Sequence, residues 1–171
     1  MIASPVGRRS GGASGADAPD PDTIHVRAVL LASEGREFDR GAIDLAARIA
    51  KRSGAPVHVF SITRIWGTSF GFPNPGLMPS KREWDEQRKR AAKAVARLER
   101  KGVTADARVI GTRAGAKRIV KEAQQRGCDA IVMAADRPRH PAVANFMWSQ
   151  EPYRVRRRAD IPVFLVVESE A

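Results

Sequence analysis

The sequence predicts an α/β fold: a single domain with an open five-stranded parallel sheet and helices on both faces. Short apolar runs alternate along the chain with segments whose apolar residues recur at helical spacing. The run Ile131-Val132-Met133, behind Gly127 and ahead of Ala134 and Ala135, has the unbroken apolar character of a strand buried on both faces. Helical segments close on basic residues and a glycine at Gly54, Gly102 and Gly127. That pattern complements the helix dipole and supplies a left-handed cap.

Residues 1–24 read as a disordered tail, nearly without large apolar groups to offset the entropy of ordering. The folded domain is expected over 25–169. Val26 to Ala32 is the first strand. Ala42, Ile43, Ala46, Ile49 and Ala50 then mark a helix with Asp39 as N-cap and Gly54 at its end. Val57 to Ile62 is the second strand. Ser80-Lys81-Arg82-Glu83 is a capping box opening a long helix, with Trp84, Ala91, Val95 and Leu98 on one face. Ala105 to Ile110 is the third strand. Thr112 is expected to cap the following helix, which turns Ala116, Ile119, Val120 and Ala123 inward. A fourth strand spans 130–134. A short basic helix follows, with Pro152 in its first turn, where a missing N–H costs little. Ile161 to Val167 is the last strand. Strands alternating with helices imply right-handed crossovers.

A chain of 171 residues is long enough for one domain with a real core. No run approaches the ~18 apolar residues of a membrane span, and the N-terminus lacks the apolar block of a signal peptide. The lone Cys128 excludes a disulfide framework and fits a reducing cytoplasm. His25, His58 and His140 have no metal-ligand spacing, to one another or to Cys128. Neither Ser33 nor Ser149 has a partnered base, so the residues make no case for an enzyme. The chain carries a net charge of +11; the tail contributes 2 − 3 = −1, so the folded part carries +12. Nine Lys or Arg lie between Lys81 and Lys101, and Arg154, Arg156, Arg157 and Arg158 crowd the last helix. Without a reading helix or an aromatic platform, these faces read as solvated charge, and specific nucleic-acid binding is not expected. Nonspecific attraction to polyanions remains an alternative.

The order and spacing of these motifs resemble the universal stress protein family over residues 26–168. The resemblance rests on Val29-Leu-Leu-Ala32 followed by Glu34-Gly35, the Ala42–Ala50 helix and Ala130-Ile-Val-Met133. It closes with Tyr153-Arg-Val-Arg-Arg-Arg-Ala159 and Ile161-Pro-Val-Phe-Leu-Val-Val167. It implies a Rossmann-like sheet of the kind shared with adenine-nucleotide alpha-hydrolases. It also implies a homodimer joined through the last strand and, in one branch of the family, ATP at the strand ends.

The chain departs from that branch where phosphates would bind. The resemblance calls for an Asp-Gly pair after the first strand and a Gly-x-x-Gly-x9-Gly-Ser/Thr run after the fourth, so that backbone N–H groups approach phosphates closely. Here the acid is Glu34. The glycine positions fall on Ala134 and Arg137, and near the last helix on Ser149 and Gln150. No glycine follows Gly127. Met133 alone matches a family nucleotide contact. Glu34, Met133, Ala134, Arg137, Arg139, Ser149 and Gln150 therefore line the expected ligand crevice. Arg137 and Arg139, with His140, can replace backbone donors with side-chain donors. The reading preferred is that Pro138 and Pro141 stiffen a surface loop whose arginines are solvated, because loss of the motif implies loss of its chemistry.

The segment 64–79 is an insertion in which Trp66, Phe70, Phe72, Leu77 and Met78 stand among glycines and prolines. So many large apolar groups imply a loop lying over its own domain or a partner. The function expected is a cytoplasmic, dimeric, non-enzymatic stress-response domain without ATP bound through a glycine motif. No cofactor is assigned, and an adenine nucleotide (ATP, AMP or cAMP) held by arginines is the alternative. The partner expected is a second copy through Ile161–Val167, with another protein as a further candidate.

Overall fold

The computed structural model describes residues 19–65, 68–69, 72–73, 76, 78–136 and 150–167. Its elements follow one another as β1 (Val29–Ser33), α1 (Arg40–Ser53), β2 (Val57–Arg64), a two-residue pair β3 (Thr68–Ser69) and β4 (Phe72–Pro73), and α2 (Lys81–Arg100). Then come β5 (Ala105–Thr112), α3 (Gly115–Gln125), β6 (Ala130–Ala135), α4 (Glu151–Arg158) and β7 (Val163–Val167). Five strands form one sheet in the order β5-β2-β1-β6-β7, every pairing parallel. β3 and β4 pair antiparallel within the insertion. The predicted fold class and alternation are observed.

Local chemistry explains the helices. Asp39 accepts the Ala42 N–H at 2.9 Å and starts α1, and Gly54, at φ 61°, ends it. Ser80 and Glu83 form both bonds of the capping box that opens α2.

Alternation along the central strands sends side chains to two separate cores. Val29, Leu31, Val57, Val59 and Val132 meet α1 and α2 through Ile43, Ile49, Ala94 and Leu98. Leu30, Phe60, Ile62, Ile131 and Met133 meet α3 and α4 through Ile119, Ala123 and Val155. Trp84 is only half-buried. Its ring lies where a side chain on Gly111 would project, so that glycine lets the indole pack on the sheet edge.

Several boundaries differ from the sequence reading. β1 begins at Val29 because Arg27 is held at the sheet's rim, its N–H and guanidinium both bonded to Asp129. β7 begins at Val163 because Pro162 has no N–H to give, although its carbonyl still accepts from Ile131. Within the expected tail, residues 1–18 lie outside the described residues. Asp20 caps a turn through the Asp22 and Thr23 N–H groups, and Ile24 packs against the first core. In the insertion, Trp66, Phe70 and Leu77 lie outside the described residues, and Met78 is exposed.

Candidate functional site

From β1 the chain moves outward to β2 and β5, then returns past β1 to β6 and β7. The topological switch point lies between β1 and β6, where the loops leaving the two carboxyl ends diverge and a ligand crevice opens. The residues there are Ser33, Glu34, Gly35 and Arg36 after β1, and Ala134, Ala135 and Asp136 at the end of β6.

Arg36 occupies this crevice. Its Nε and Nη2 donate to Glu34 Oε1, and its Nη1 donates to Asp136 Oδ1 at 2.9 Å. One guanidinium thus ties the end of β1 to the end of β6. Glu34 is 3% exposed. Burial pushes its carboxyl above the usual range, against the opposing pull of Arg36. Burial also works against the charge on Arg36, but Glu34 and Asp136 together outweigh it and raise its pKa. Glu34 is therefore spent on Arg36. Glu34 lines the small strand-end void in this paired form.

The turn behind Glu34 is rigid. Gly35 adopts φ 106°, and a Cβ there would stand 2.9 Å from the Ile62 carbonyl oxygen. Its own carbonyl accepts Gln87 Nε2 at 2.6 Å and Arg90 Nη1 at 2.8 Å, and Ser61 Oγ donates to Gln87 Oε1. Ser33 Oγ donates to the Arg36 carbonyl. α2 and the β1 turn are thereby locked together. The void left beside Ser33, Glu34, Phe38 and Ala134 is about 10 Å³, room for about one water.

On the opposite face, the N-terminus of α3 meets that of α4. Glu151 is 4% exposed, and its Oε2 accepts the Ala116 N–H at 2.8 Å. Its Oε1 accepts Arg64 Nη2 at 3.2 Å and Arg154 Nη1 at 3.0 Å. The helix start is thus served by a carboxylate belonging to the chain itself. Gly115 permits the approach, since a Cβ there would lie 2.7 Å from Ile62 Cδ1 and 3.1 Å from Glu151 Oε2. This corrects the role expected of Thr112. Its Oγ1 accepts the Ala114 N–H, outside the helix, and α3 has Ala114 at its N-cap with no side-chain capping bond.

Among the other expected site residues, Met133 is wholly buried in the core facing α3 and α4, and Ala134 is half-buried. Gln150 adjoins α4 without a side-chain capping bond. Arg137, Arg139 and Ser149 lie outside the described residues, as does His140. Pro152 sits in the first turn of α4 as expected. Arg36, Asp136 and Glu151 were not anticipated. An arginine two residues beyond a strand-end acid was a legible signal for the first two. Nothing in the sequence pairs Glu151 with a helix start 35 residues earlier.

Cys128 is buried, and burial pushes its thiol up to about 12, the state of an inert packing residue. His58 lies against Asp106, which Arg126 also holds. Among the described residues no group of three or more His, Cys, Asp or Glu could hold a metal ion, and no helix is long and apolar enough to cross a membrane.

Fold and site together define an open parallel α/β domain whose switch point is bridged by Arg36 ion pairs. The model of the universal stress protein family matches residues 25–167, and the chain belongs to that family. Solved structures agree in fold. A universal stress protein from Archaeoglobus fulgidus in complex with dAMP superposes with a TM-score of 0.60 at 18% identity, covering 81% of this chain and 95% of that one. A member from Burkholderia pseudomallei gives 0.60 at 23% identity, covering 82% and 95%. A universal stress protein in complex with cAMP gives 0.53 at 19% identity, covering 85% and 100%. Comparison with curated proteins gives no significant match.

Proposed function

We propose that this chain is a non-enzymatic, cytoplasmic stress-response domain that does not hold ATP at its strand ends in the manner of glycine-loop members. The observation that carries this reading is the Arg36 clamp from Glu34 to Asp136 across the switch point. A nucleotide entering there must break two charge-assisted contacts and finds a void of only about one water. The absence of glycine beyond Gly127 supports the same conclusion.

The test is calorimetry and thermal shift with ATP, ADP, AMP, cAMP and adenosine. A ligand at ~100 times its Kd would stabilise the fold by about 2.7 kcal/mol, a shift readily seen. No base-dependent shift is expected. Micromolar ATP affinity that adenosine or AMP competes away would refute the reading.

A second reading is favoured by the relatives described with dAMP and cAMP. In it, Arg137 and Arg139 replace the glycine cradle. Arg137→Ala would then weaken any base-dependent binding markedly, and an unchanged affinity would discard it.

The proposed assembly is a homodimer through β7. This strand pairs only with β6 among the described residues, and its outer edge is apolar, as in sheet edges that a second chain covers.

A further inference from the structure

We propose that the basin between the starts of α3 and α4 binds a small ligand carrying two or more phosphate groups. The basin encloses about 350 Å³, the scale of a small-molecule site. Five cationic side chains line it: Arg113, Lys117, Arg154, Arg157 and Arg158. One acid, Glu151, lies among them. Its carboxylate is already shared by the Ala116 N–H, Arg64 and Arg154.

Elsewhere the same chain pairs many of its cations. Arg82 meets Glu86, Arg88 meets Asp85, Arg126 meets Asp106, and Lys101 meets Asp44. Lys117, Arg157 and Arg158 have no ion-pair partner among the described residues. Arg154, Arg157 and Arg158 stand at i, i+3 and i+4 on one flank of α4, a spacing at which like charges repel. Among the described residues Glu151 is the one acid in this lining, against five cationic side chains. A multivalent anion removes that repulsion, and arginine forks suit phosphate oxygens.

Among the described residues the lining contains no aromatic side chain, so the recognition proposed is by charge and not by base stacking. That separates the ligand class from nucleosides and the mode from single-stranded nucleic acid, which depends on stacking platforms. The basin lies on the α3/α4 side of the sheet, while the Arg36 clamp lies on the α1 side, so this inference does not depend on the proposed function.

The experiment is calorimetry of the full chain with inorganic phosphate, pyrophosphate and tripolyphosphate, and with ATP in the presence and absence of adenosine. Affinity should rise with the number of phosphates. ATP and tripolyphosphate should bind alike, and adenosine should displace neither. Arg157→Gln/Arg158→Gln should weaken tripolyphosphate binding about tenfold or more, as expected for two lost charge-assisted contacts.

The control is Arg97→Gln/Arg100→Gln, which removes the same charge from a basin of about 390 Å³ between α1 and α2. It should change affinity by less than about twofold, leaving only long-range screening effects. Arg157 and Arg158 are exposed, and unchanged circular dichroism would confirm folding. Should that pair misfold, Lys117→Gln serves instead, with a loss of several-fold expected. Equal losses in both basins would reduce the effect to net charge and overturn the proposal. Displacement by adenosine would place the ligand in the strand-end crevice and overturn it too. An oligonucleotide that outcompetes tripolyphosphate at equal phosphate concentration would assign the surface to nucleic acid instead.

Discussion

Glu151→Ala is the most informative single substitution. It removes a carboxylate whose side chain is 6% exposed and which serves three donors on three elements. Ala116 N–H loses its acceptor, and a lost helix cap costs about 1 kcal/mol. Arg64, whose side chain is only 16% exposed, loses the carboxylate. Losing that charge-assisted hydrogen bond adds roughly 1–3 kcal/mol. Arg154 is 42% exposed and regains water, so it adds little. The expected loss is about 2–4 kcal/mol, a large part of the 5–15 kcal/mol typical of a domain. Urea unfolding at pH 7 reads it directly. Glu151→Gln keeps an acceptor for Ala116 and should lose roughly half as much. A Glu151→Ala protein within about 0.5 kcal/mol of wild type would show that the carboxylate does not hold α3 and α4 together.

Glu34 has a raised folded-state pKa, so its contribution to stability is present below the unfolded value and lost as pH rises through the folded one. Glu34→Gln should therefore compare more favourably with wild type at pH 7 than at pH 4 in urea midpoints, and the opposite order would reject the assigned direction. Cys128 should resist thiol reagents at pH 8 until denaturant is added, given its burial and a pKa pushed up to about 12. Rapid stoichiometric labelling of the native protein would contradict its placement. Wild type should sediment as a dimer at tens of micromolar, about the range of a stable C2 pair, and Leu165→Lys/Val167→Lys as a folded monomer. Val163 is unsuitable for that test because it is buried within the single chain. A wild-type monomer would mean that something else covers β7.

Local chemistry made most of the scaffold legible. The Asp39 cap, the Ser80–Glu83 box and the Gly54 terminus depend on neighbours within a few residues, and they form as read. The sheet's central strands were equally plain, because parallel strands buried on both faces must be continuously apolar. The candidate site was only half-legible. Glu34 was found because it follows a strand. Its role was missed because the partner is set by the register of β1 on β6, which brings Asp136 within reach of Arg36.

The sequence alone determined the element order, the parallel sheet, the inert thiol and the family, since each follows from periodicity, capping or composition along a continuous stretch. Tertiary structure decided what the charges do. Thr112 stood in the right local position to cap α3, yet the Glu151 carboxylate, 35 residues beyond Ala116, took the helix start. The competition was settled by the packing of α4 against α3, which excludes water around Glu151 and leaves its charge no better-solvated place than the N–H groups and guanidiniums that surround it. Likewise +11 was visible from the outset, but which cations are neutralised and which converge unpaired on one basin depends on helix placement, because charge interactions act through space and fall off with distance.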